Sequence, residues 1–191
     1  MNKNFNLTTP RLTCVAGVYV VLHAALASPL VLAHTLNAIV PDAWPPEHID
    51  DDAIRWMLKL SDQMPADCFW GMYFIVLQEP FNAPELTLIG TCGYKGLPDK
   101  TGQVEIGYSV LGAFQRCGYA SEAAMALIKN AYENGAKNVI AETLPHLTPS
   151  RRVMEKCGMV FVGDGAEAGV IRYEHVRGNE ALRVADWNMK P

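Results

Sequence analysis

One stretch of this sequence has the residue types and spacing to bind an anion: Val110–Glu122, reading VLGAFQRCGYASE. An apolar run that reads as the end of a strand passes through Gly112 and Gly118 into a long helical pattern. The first N–H groups of a helix have no carbonyl partner within it, and the helix dipole favours negative charge beside them. Gly118 carries no Cβ, so a phosphate can come close to the main chain there, and Ala120 keeps the approach open. Gln115 and Arg116 add side-chain donors, and Arg116 adds charge. The loop is not a Walker A loop, because no Gly-Lys-Ser/Thr follows, and it is not a G-x-G-x-x-G turn. Cys117 stands in the same loop at the helix start, where a thiol can ionise more readily and act as a nucleophile.

Gln115-Arg116-Cys117-Gly118-Tyr119-Ala120 fits the pattern Q/R-x-x-G-x-G/A. In this the chain resembles the GNAT superfamily of N-acetyltransferases, whose pyrophosphate-binding motif it is. The surrounding EIGYSV…FQRCGYASEA and the later AETLPHLTPSRRVMEKCGMVFVG are similar to the ribosomal-protein-alanine acetyltransferase-like (RimJ/RimL-like) branch, and LTTPRL looks like that branch's opening. The likeness covers residues 7–12 loosely and 103–163 closely. It implies an α+β fold (three-layer α/β in some schemes): a mixed, mostly antiparallel sheet flanked by helices and splayed between its fourth and fifth strands, the acyl-CoA N-acyltransferase fold. Those strands correspond here to Gln103–Val110 and Lys137–Leu144. It also implies acetyl-CoA as acyl donor and no metal. The pantetheine arm would lie along the main chain of Ser109, Val110 and Leu111. The pyrophosphate would sit on Gln115, Arg116, Cys117, Gly118, Tyr119 and Ala120, with Ser121 close by.

The reaction that the resemblance implies is direct acetyl transfer from a thioester to an amine, so Cys117 has no required part in it. An alkyl amine is mostly protonated near neutral pH and must lose a proton to a base. Glu105, on the fourth strand where related enzymes often carry a glutamate, is the candidate base, acting directly or through water. The branch commonly has N-x-x-S before the next helix; here Leu147-Thr148-Pro149-Ser150 keeps the serine and loses the asparagine. Where many relatives have a tyrosine four residues further on, this chain has Met154. Ser150 is the candidate donor to the leaving thiolate, with Tyr108 and Tyr119 as other hydroxyls in range. A non-catalytic acyl-CoA-binding module is the alternative reading, supported by those two departures.

The elements that must hold these residues are legible from periodicity. Arg11–Ala16 reads as a strand and residues 18–40 as helix broken near Ser28-Pro29. Val40–Asp52 reads as a loop, with Trp44 either packing or lining a pocket, and Asp52–Leu60 as a short helix. Phe69–Gln78, Leu86–Tyr94 and Gln103–Val110 read as an antiparallel meander, with turns at Glu79–Pro84 and Gly96–Gly102. Val104, Ile106, Tyr108 and Val110 share one face of the last of these, which turns Glu105 to the other. In Ser121–Asn134 the residues Ala124, Leu127, Ile128, Ala131 and Tyr132 follow helical spacing, and Gly135 can end the helix. Lys137–Leu144 is a strand. Thr148-Pro149 reads as a cap and first helical proline for a helix ending at Gly158. Met159–Gly163 and Val170–Arg177 are closing strands, and residues 178–191 a weakly patterned tail.

Composition sets the outer bounds. The chain has 191 residues, 50% hydrophobic and 19% charged, which suits one folded domain over 1–191 with its core in 7–177 and excludes a disordered chain. The net charge is −4 and no Lys/Arg run exists, so nucleic-acid binding has no electrostatic support. The five cysteines form no CxxC pair, which argues against a zinc site or a disulfide framework and fits reduced thiols in a cytoplasmic protein. Leu12–Ala27 is apolar and ends in Ala25-Leu26-Ala27, the form of a signal peptide, and Val15–Val40 approaches the length of a membrane span. His23, Ser28, Pro29, His34 and Asn37 interrupt it, so a buried strand followed by core helices is expected and no membrane partner. The acids Asp42, Glu47, Asp50, Asp51 and Asp52 form either a solvated face or an attraction for a cationic acceptor. The expected partners are acetyl-CoA and an amine, with the protein a monomer or homodimer; Trp187 could pack across a dimer.

Overall fold

The computed structural model describes residues 4–65, 68–78 and 86–175. The chain opens with a tight hairpin in which β1 (Leu7–Thr8) pairs antiparallel with β2 (Leu12–Ala16). Helices α1 (Tyr19–Ala27) and α2 (Pro29–Leu36) follow. They are separate because Pro29 has no N–H with which to continue α1. The intervening Ser28 is extended, and its hydroxyl accepts from the Val31 N–H to cap α2. Next come α3 (Asp51–Ser61), β3 (Met72–Leu77), β4 (Thr87–Tyr94) and β5 (Gln103–Val110). A 3-10 turn at Gly112–Phe114 leads into α4 (Tyr119–Glu133). The chain closes with β6 (Asn138–Thr143), α5 (Thr148–Lys156), β7 (Met159–Asp164) and β8 (Ile171–His175).

The strands form an eight-stranded sheet in the order β1-β2-β3-β4-β5-β6-β8-β7. Every pairing is antiparallel except that of β5 with β6. This is the mixed, mostly antiparallel α+β sheet expected. Alternation along the strands divides the core in two. Cys14, Tyr73, Ile75, Val104, Ile106 and Tyr173 pack with α4 and α5 residues on one face. Met72, Phe74, Val76 and Leu88 pack with α1, α2 and α3 on the other. With both faces covered, all six residues of β3 are buried, although the strand is an antiparallel one.

Helix α4 is long because Ala, Leu and other good helix formers fill it, and its apolar face is complete. Ala123, Ala124, Leu127, Ile128 and Ala131 are each at most 1% exposed. The buried Tyr94 of β4 ties this face to the sheet. Its hydroxyl donates to the Leu127 carbonyl at 2.7 Å and accepts from Asn130 Nδ2 at 2.8 Å. Gly135, at φ 92°, lets the chain turn out of the helix.

One detail differs from the sequence reading, and two that it left open are resolved. Thr148 is the first helical residue of α5, not its cap; Leu147 holds the cap position, and no side chain caps the helix. The Thr148 N–H donates to the His146 carbonyl at 2.8 Å, and Pro149 is the second helical residue rather than the first. Trp44 is half-buried against Phe74, ring centroids 5.9 Å apart, and so serves the α1–α3 side of the core. Of the five clustered acids, Asp50 caps α3 by accepting from the Ala53 N–H at 2.8 Å, and Asp51 and Asp52 fill its first turn, where the helix dipole favours them. The turn at Glu79–Pro84, the residues after His175 and Trp187 lie outside the described residues. Among the described residues no helix is long and apolar enough to cross a membrane.

Strands β4 and β5 approach closely at Gly90, which faces Val110. A Cβ there would lie 2.2 Å from the Ser109 carbonyl oxygen and 2.9 Å from Val110 Cα, both main-chain atoms that cannot swing aside. Gly90→Ala should therefore destabilise the protein by about 1–3 kcal/mol, measured as a lower midpoint in urea unfolding; an unchanged midpoint would show that the strand contact is not tight.

Candidate active site

The site begins where two strands part. β5 and β6 pair at only three positions, Gln103↔Asn138, Val104↔Val139 and Glu105↔Ile140. Beyond them β5 stays with β4 as far as Val110, while β6 stays with β8 as far as Thr143. The result is a wedge between Ile106–Val110 and Ala141–Thr143. This is the splay expected between Gln103–Val110 and Lys137–Leu144.

Ladder alternation decides which main-chain groups look into the wedge. The Lys95 N–H donates to the Glu105 carbonyl, and the Leu111 N–H donates to the Ile89 carbonyl, both at 2.9 Å. Odd-numbered residues of β5 therefore point their N–H and C=O toward β4, and Tyr108 and Val110 turn theirs toward the wedge. Of the predicted set Ser109, Val110 and Leu111, only Val110 turns its backbone there, and its carbonyl already accepts from Gln115 Nε2. The Ser109 side chain points instead to the α1–α3 face, where its hydroxyl donates to the Glu47 carbonyl at 3.0 Å. Ile39 occupies the place beside β4 that β5 vacates: its N–H donates to the Leu86 carbonyl, and its carbonyl accepts from the Leu88 N–H, both at 2.8 Å. Through these contacts the 40–50 loop lies over the end of β5.

The turn from β5 to α4 is held in an unusual backbone shape. Arg116 is left-handed at φ 66° and Gly118 at φ 85°, a region in which a non-glycine residue such as Arg116 is uncommon. Gly118 is the cap residue of α4 and has no side chain to bond the first turn, so no side chain caps that helix. The first α-helical bond from this end runs from the Glu122 N–H to the Gly118 carbonyl at 3.0 Å. The N–H groups of Tyr119, Ala120 and Ser121 precede it and have no partner inside the helix. Gln115 corrects the sequence reading: its Nε2 donates back to the Val110 carbonyl at 2.9 Å, closing the turn rather than reaching outward. Arg116 and Cys117 are exposed, and Ser121 is buried with its carbonyl accepting from Cys157 Sγ at 3.5 Å.

Beneath this turn lies a network that sequence reasoning missed. Glu122 is 3% exposed. Its Oε1 accepts from Thr9 Oγ1 at 2.6 Å and from the Arg11 N–H at 2.9 Å, and its Oε2 accepts from Arg11 Nε at 2.7 Å and pairs with Nη2 at 2.6 Å. Arg11 also donates from Nη1 to the Cys117 carbonyl at 3.1 Å and covers the Tyr119 ring at 4.6 Å. The only signal was LTTPRL itself, and nothing local could pair it with a glutamate 111 positions away.

At the other end of the wedge, Glu105 lies on the opposite sheet face from Val104 and Ile106, as its alternation required. Lys95 pairs with its Oε1. Gly107, next on that face, would meet nothing within 4 Å of an added Cβ, so open space lies between Glu105 and Ser109. On the wedge side, the Tyr108 hydroxyl reaches α5 and donates to the Ser150 carbonyl at 3.1 Å. Burial pushes the Tyr108 hydroxyl well above its ordinary pKa. Ser150 is thus brought opposite β5. Leu147 is exposed and Met154 buried, and neither carries a hydroxyl. His175, which had no readable partner, meets Tyr132 Oη at 3.0 Å in the core. All five cysteines are free thiols, Cys14, Cys92 and Cys157 among them buried. No group of three or more His, Cys, Asp or Glu able to hold a metal occurs among the described residues.

A sheet parted beside an uncapped, glycine-started helix defines the GNAT class of acetyltransferases. The chain belongs to that family: the acetyltransferase (GNAT) domain matches residues 22–160. Among curated relatives it is 32% identical over 81 residues to the uncharacterized N-acetyltransferase YjdG of Bacillus subtilis, a match spanning 42% of this chain and 48% of that protein, so the chain aligns with about half of that relative's length. Among solved structures, an acetyltransferase from Agrobacterium tumefaciens superposes with a TM-score of 0.60 at 20% identity, covering 90% of this chain and 94% of that one. RimL, a ribosomal L7/L12 alpha-N-protein acetyltransferase, gives 0.62 at 16% identity over 90% of this chain and 93% of its own. Mycobacterium smegmatis RimJ in complex with CoA-disulfide gives 0.59 at 17% identity over 93% and 89%. At these identities the likeness establishes the fold.

Gly118→Glu should abolish binding of coenzyme A, because its side chain would be driven against the Arg11 guanidinium, 3.4 Å from the added Cβ, and would distort the turn while adding a like charge beside it. It also forces a side chain into the left-handed region, which costs about 1–2 kcal/mol. Calorimetric titration checks this, and retained binding would refute the assignment of the turn.

Proposed function

We propose that this protein is an N-acetyltransferase of the RimJ/RimL-like branch, moving an acetyl group from acetyl-CoA directly to the primary amine of a protein N-terminus or a small molecule. It acts as a single-domain cytoplasmic enzyme, monomer or homodimer, without a metal, a nucleic-acid partner or a membrane. The observation that carries this reading is the uncapped start of α4: three N–H groups without helix partners, at the mouth of a wedge whose edge offers the backbone of Tyr108 and Val110. The pairing suits a ligand with a pyrophosphate at one end and an amide-bearing arm at the other, which is the shape of coenzyme A. The names of RimL and RimJ support the branch as well as the class.

The donor supplies an acyl thioester; the chain's residues supply position and proton traffic. The free N–H groups of Tyr119, Ala120 and Ser121 hold the pyrophosphate, and Arg116 stands beside them with its charge. Val110 and Tyr108 align the arm, with the Ser109 and Leu111 backbones serving β4 instead. Glu105 takes the proton that the amine must shed as its nitrogen bonds the acyl carbon, directly or through a water in the space over Gly107. The Ser150 hydroxyl gives its proton to the sulfur as the carbon–sulfur bond breaks and regains one from solvent, while Glu105 releases to solvent the proton it took, which balances the transfer.

A second reading, a non-catalytic acyl-CoA-binding module, draws on the exposed Leu147 and the buried Met154, which leave Ser150 with no polar neighbour at the usual places on α5. Both readings predict acetyl-CoA binding. At about 100 times its dissociation constant, acetyl-CoA should add about 2.7 kcal/mol of stability and raise the thermal midpoint by roughly 5–10 °C, with NAD giving no rise. Only the enzyme releases free CoA faster when amines are added, and failure across a broad amine panel would favour the binding module. In the active protein, Glu105→Gln should lower turnover by about 100-fold or more while leaving acetyl-CoA affinity within twofold. An unchanged pH–rate profile would remove Glu105 from the role of base.

A further inference from the structure

The α4 turn offers its N–H groups only if its carbonyls face elsewhere, and one residue far away in sequence arranges this. A trans peptide holds its C=O and the following N–H in opposite directions. The Cys117 carbonyl is directed onto Arg11 Nη1 at 3.1 Å, so the Gly118 N–H points away from Arg11. If that peptide unit were reversed, the carbonyl would face an incoming anion and repel it. Two left-handed residues, Arg116 and Gly118, flank this unit, so the turn's shape is not the one a chain adopts by default.

Arg11 is itself rigidly placed. Nε and Nη2 grip Glu122 Oε2 in a fork, its main-chain N–H bonds Glu122 Oε1, and its guanidinium covers the Tyr119 ring. A Cβ added to Gly118 would lie 3.4 Å from Nη2, so the guanidinium backs directly onto the turn. The fork is specific to arginine, because a planar guanidinium can engage a carboxylate and a carbonyl at once, whereas an ammonium is a single point of charge.

We infer that Arg11, from the β1–β2 hairpin, is the positioning residue of the phosphate-binding turn: it holds the Cys117 carbonyl toward itself and so presents the Gly118 N–H, together with the free N–H groups that follow it, to the pyrophosphate of the acyl donor. This builds on the proposed acetyl-CoA site. It makes the first hairpin, which touches no reacting atom, a determinant of donor affinity. It also separates two roles within one side chain. The pairing with Glu122 stabilises the fold, and the bond to Cys117 shapes the site.

The two roles respond differently to substitution. Lysine keeps a positive charge beside Glu122 and cannot also hold the Cys117 carbonyl; methionine loses both. The test measures, for the wild-type protein, Arg11→Lys and Arg11→Met, the ligand-free thermal midpoint and the acetyl-CoA dissociation constant by calorimetry. The expected result is that Arg11→Lys melts close to wild type yet binds acetyl-CoA about 10-fold or more weakly, the scale of a lost charge-assisted hydrogen bond. Arg11→Met should lose both stability and affinity. If Arg11→Met does not fold, Arg11→Lys alone decides. Wild-type affinity in Arg11→Lys, or affinity losses that merely track the fall in thermal midpoint, would overturn the inference while leaving the acetyl-CoA site standing. No acetyl-CoA binding by the wild-type protein would overturn both.

Discussion

Strand β5 carries hydrogen-bonding groups on both edges, and past Glu105 only the edge toward β4 is paired with a strand. Backbone N–H and C=O groups need partners when shielded from water, so an open edge inside a fold calls for a ligand, a side chain or solvent. Each neighbouring half-sheet is self-sufficient here: β5 keeps β4 through Val110, and β6 keeps β8 through Thr143. Neither half needs the other, and the twist of each can carry them apart. Helix α4 packs against the β4–β5 half, where Tyr94 fixes it, and its start arrives beside the opening. The wedge and the helix N-terminus are thus two consequences of one break in pairing.

Charge at the mouth of the wedge is arranged with equal economy. A carboxylate in the first turn of a helix stabilises it through the dipole, but it would also repel an anion arriving there. Glu122 avoids the conflict by turning inward, where Thr9 and Arg11 satisfy both of its oxygens. The helix keeps an acidic first turn, and the outward surface of the turn keeps only N–H groups and the exposed Arg116. Because Glu122 is buried and Arg11 is 40% exposed at its side chain, the pair is screened on one side only, and removing Arg11 strands Glu122.

How far the sequence revealed this depended on distance along the chain. The wedge strands, α4 and the turn that joins them were legible because each is a local pattern: alternation in Gln103–Val110, helical spacing in Ser121–Asn134, and a glycine, Gly118, at the left-handed cap position before the helix. The facing of Glu105 followed from the same alternation. Contacts between remote segments were not legible. Arg11 with Glu122, Ser109 with the Glu47 carbonyl, and Tyr108 with the Ser150 carbonyl each join segments whose closeness only the folded sheet creates. Even local rules failed where two competed. Thr148 is a good cap residue, but a tight turn from Leu144 to Thr148 leads straight into the helix, which begins one residue earlier than the threonine-proline pair suggests.

The two ends of the wedge differ in how firmly chemistry is built into them. The turn at the start of α4 is main chain held by a half-buried ion pair, so it tolerates little change. The acyl end is sparse: an exposed Leu147, a buried Met154, and a Tyr108 hydroxyl that burial keeps protonated and that is already engaged with Ser150. In the proposed reaction such an end can still suffice, since fixing a thioester and an amine in contact by itself removes several kcal/mol of entropic barrier. The amine, once neutral, has one further proton to lose as the amide forms, and in that reaction it would go toward the side of the sheet where Glu105 and the open space over Gly107 lie. That is the side covered by the 40–50 loop, which Ser109 and the pairing of Ile39 with β4 hold in place. In that reaction selection among amines would fall to a loop anchored on the outside of the same strand whose inner edge would bind the donor, and β5 would be the element through which donor and acceptor meet.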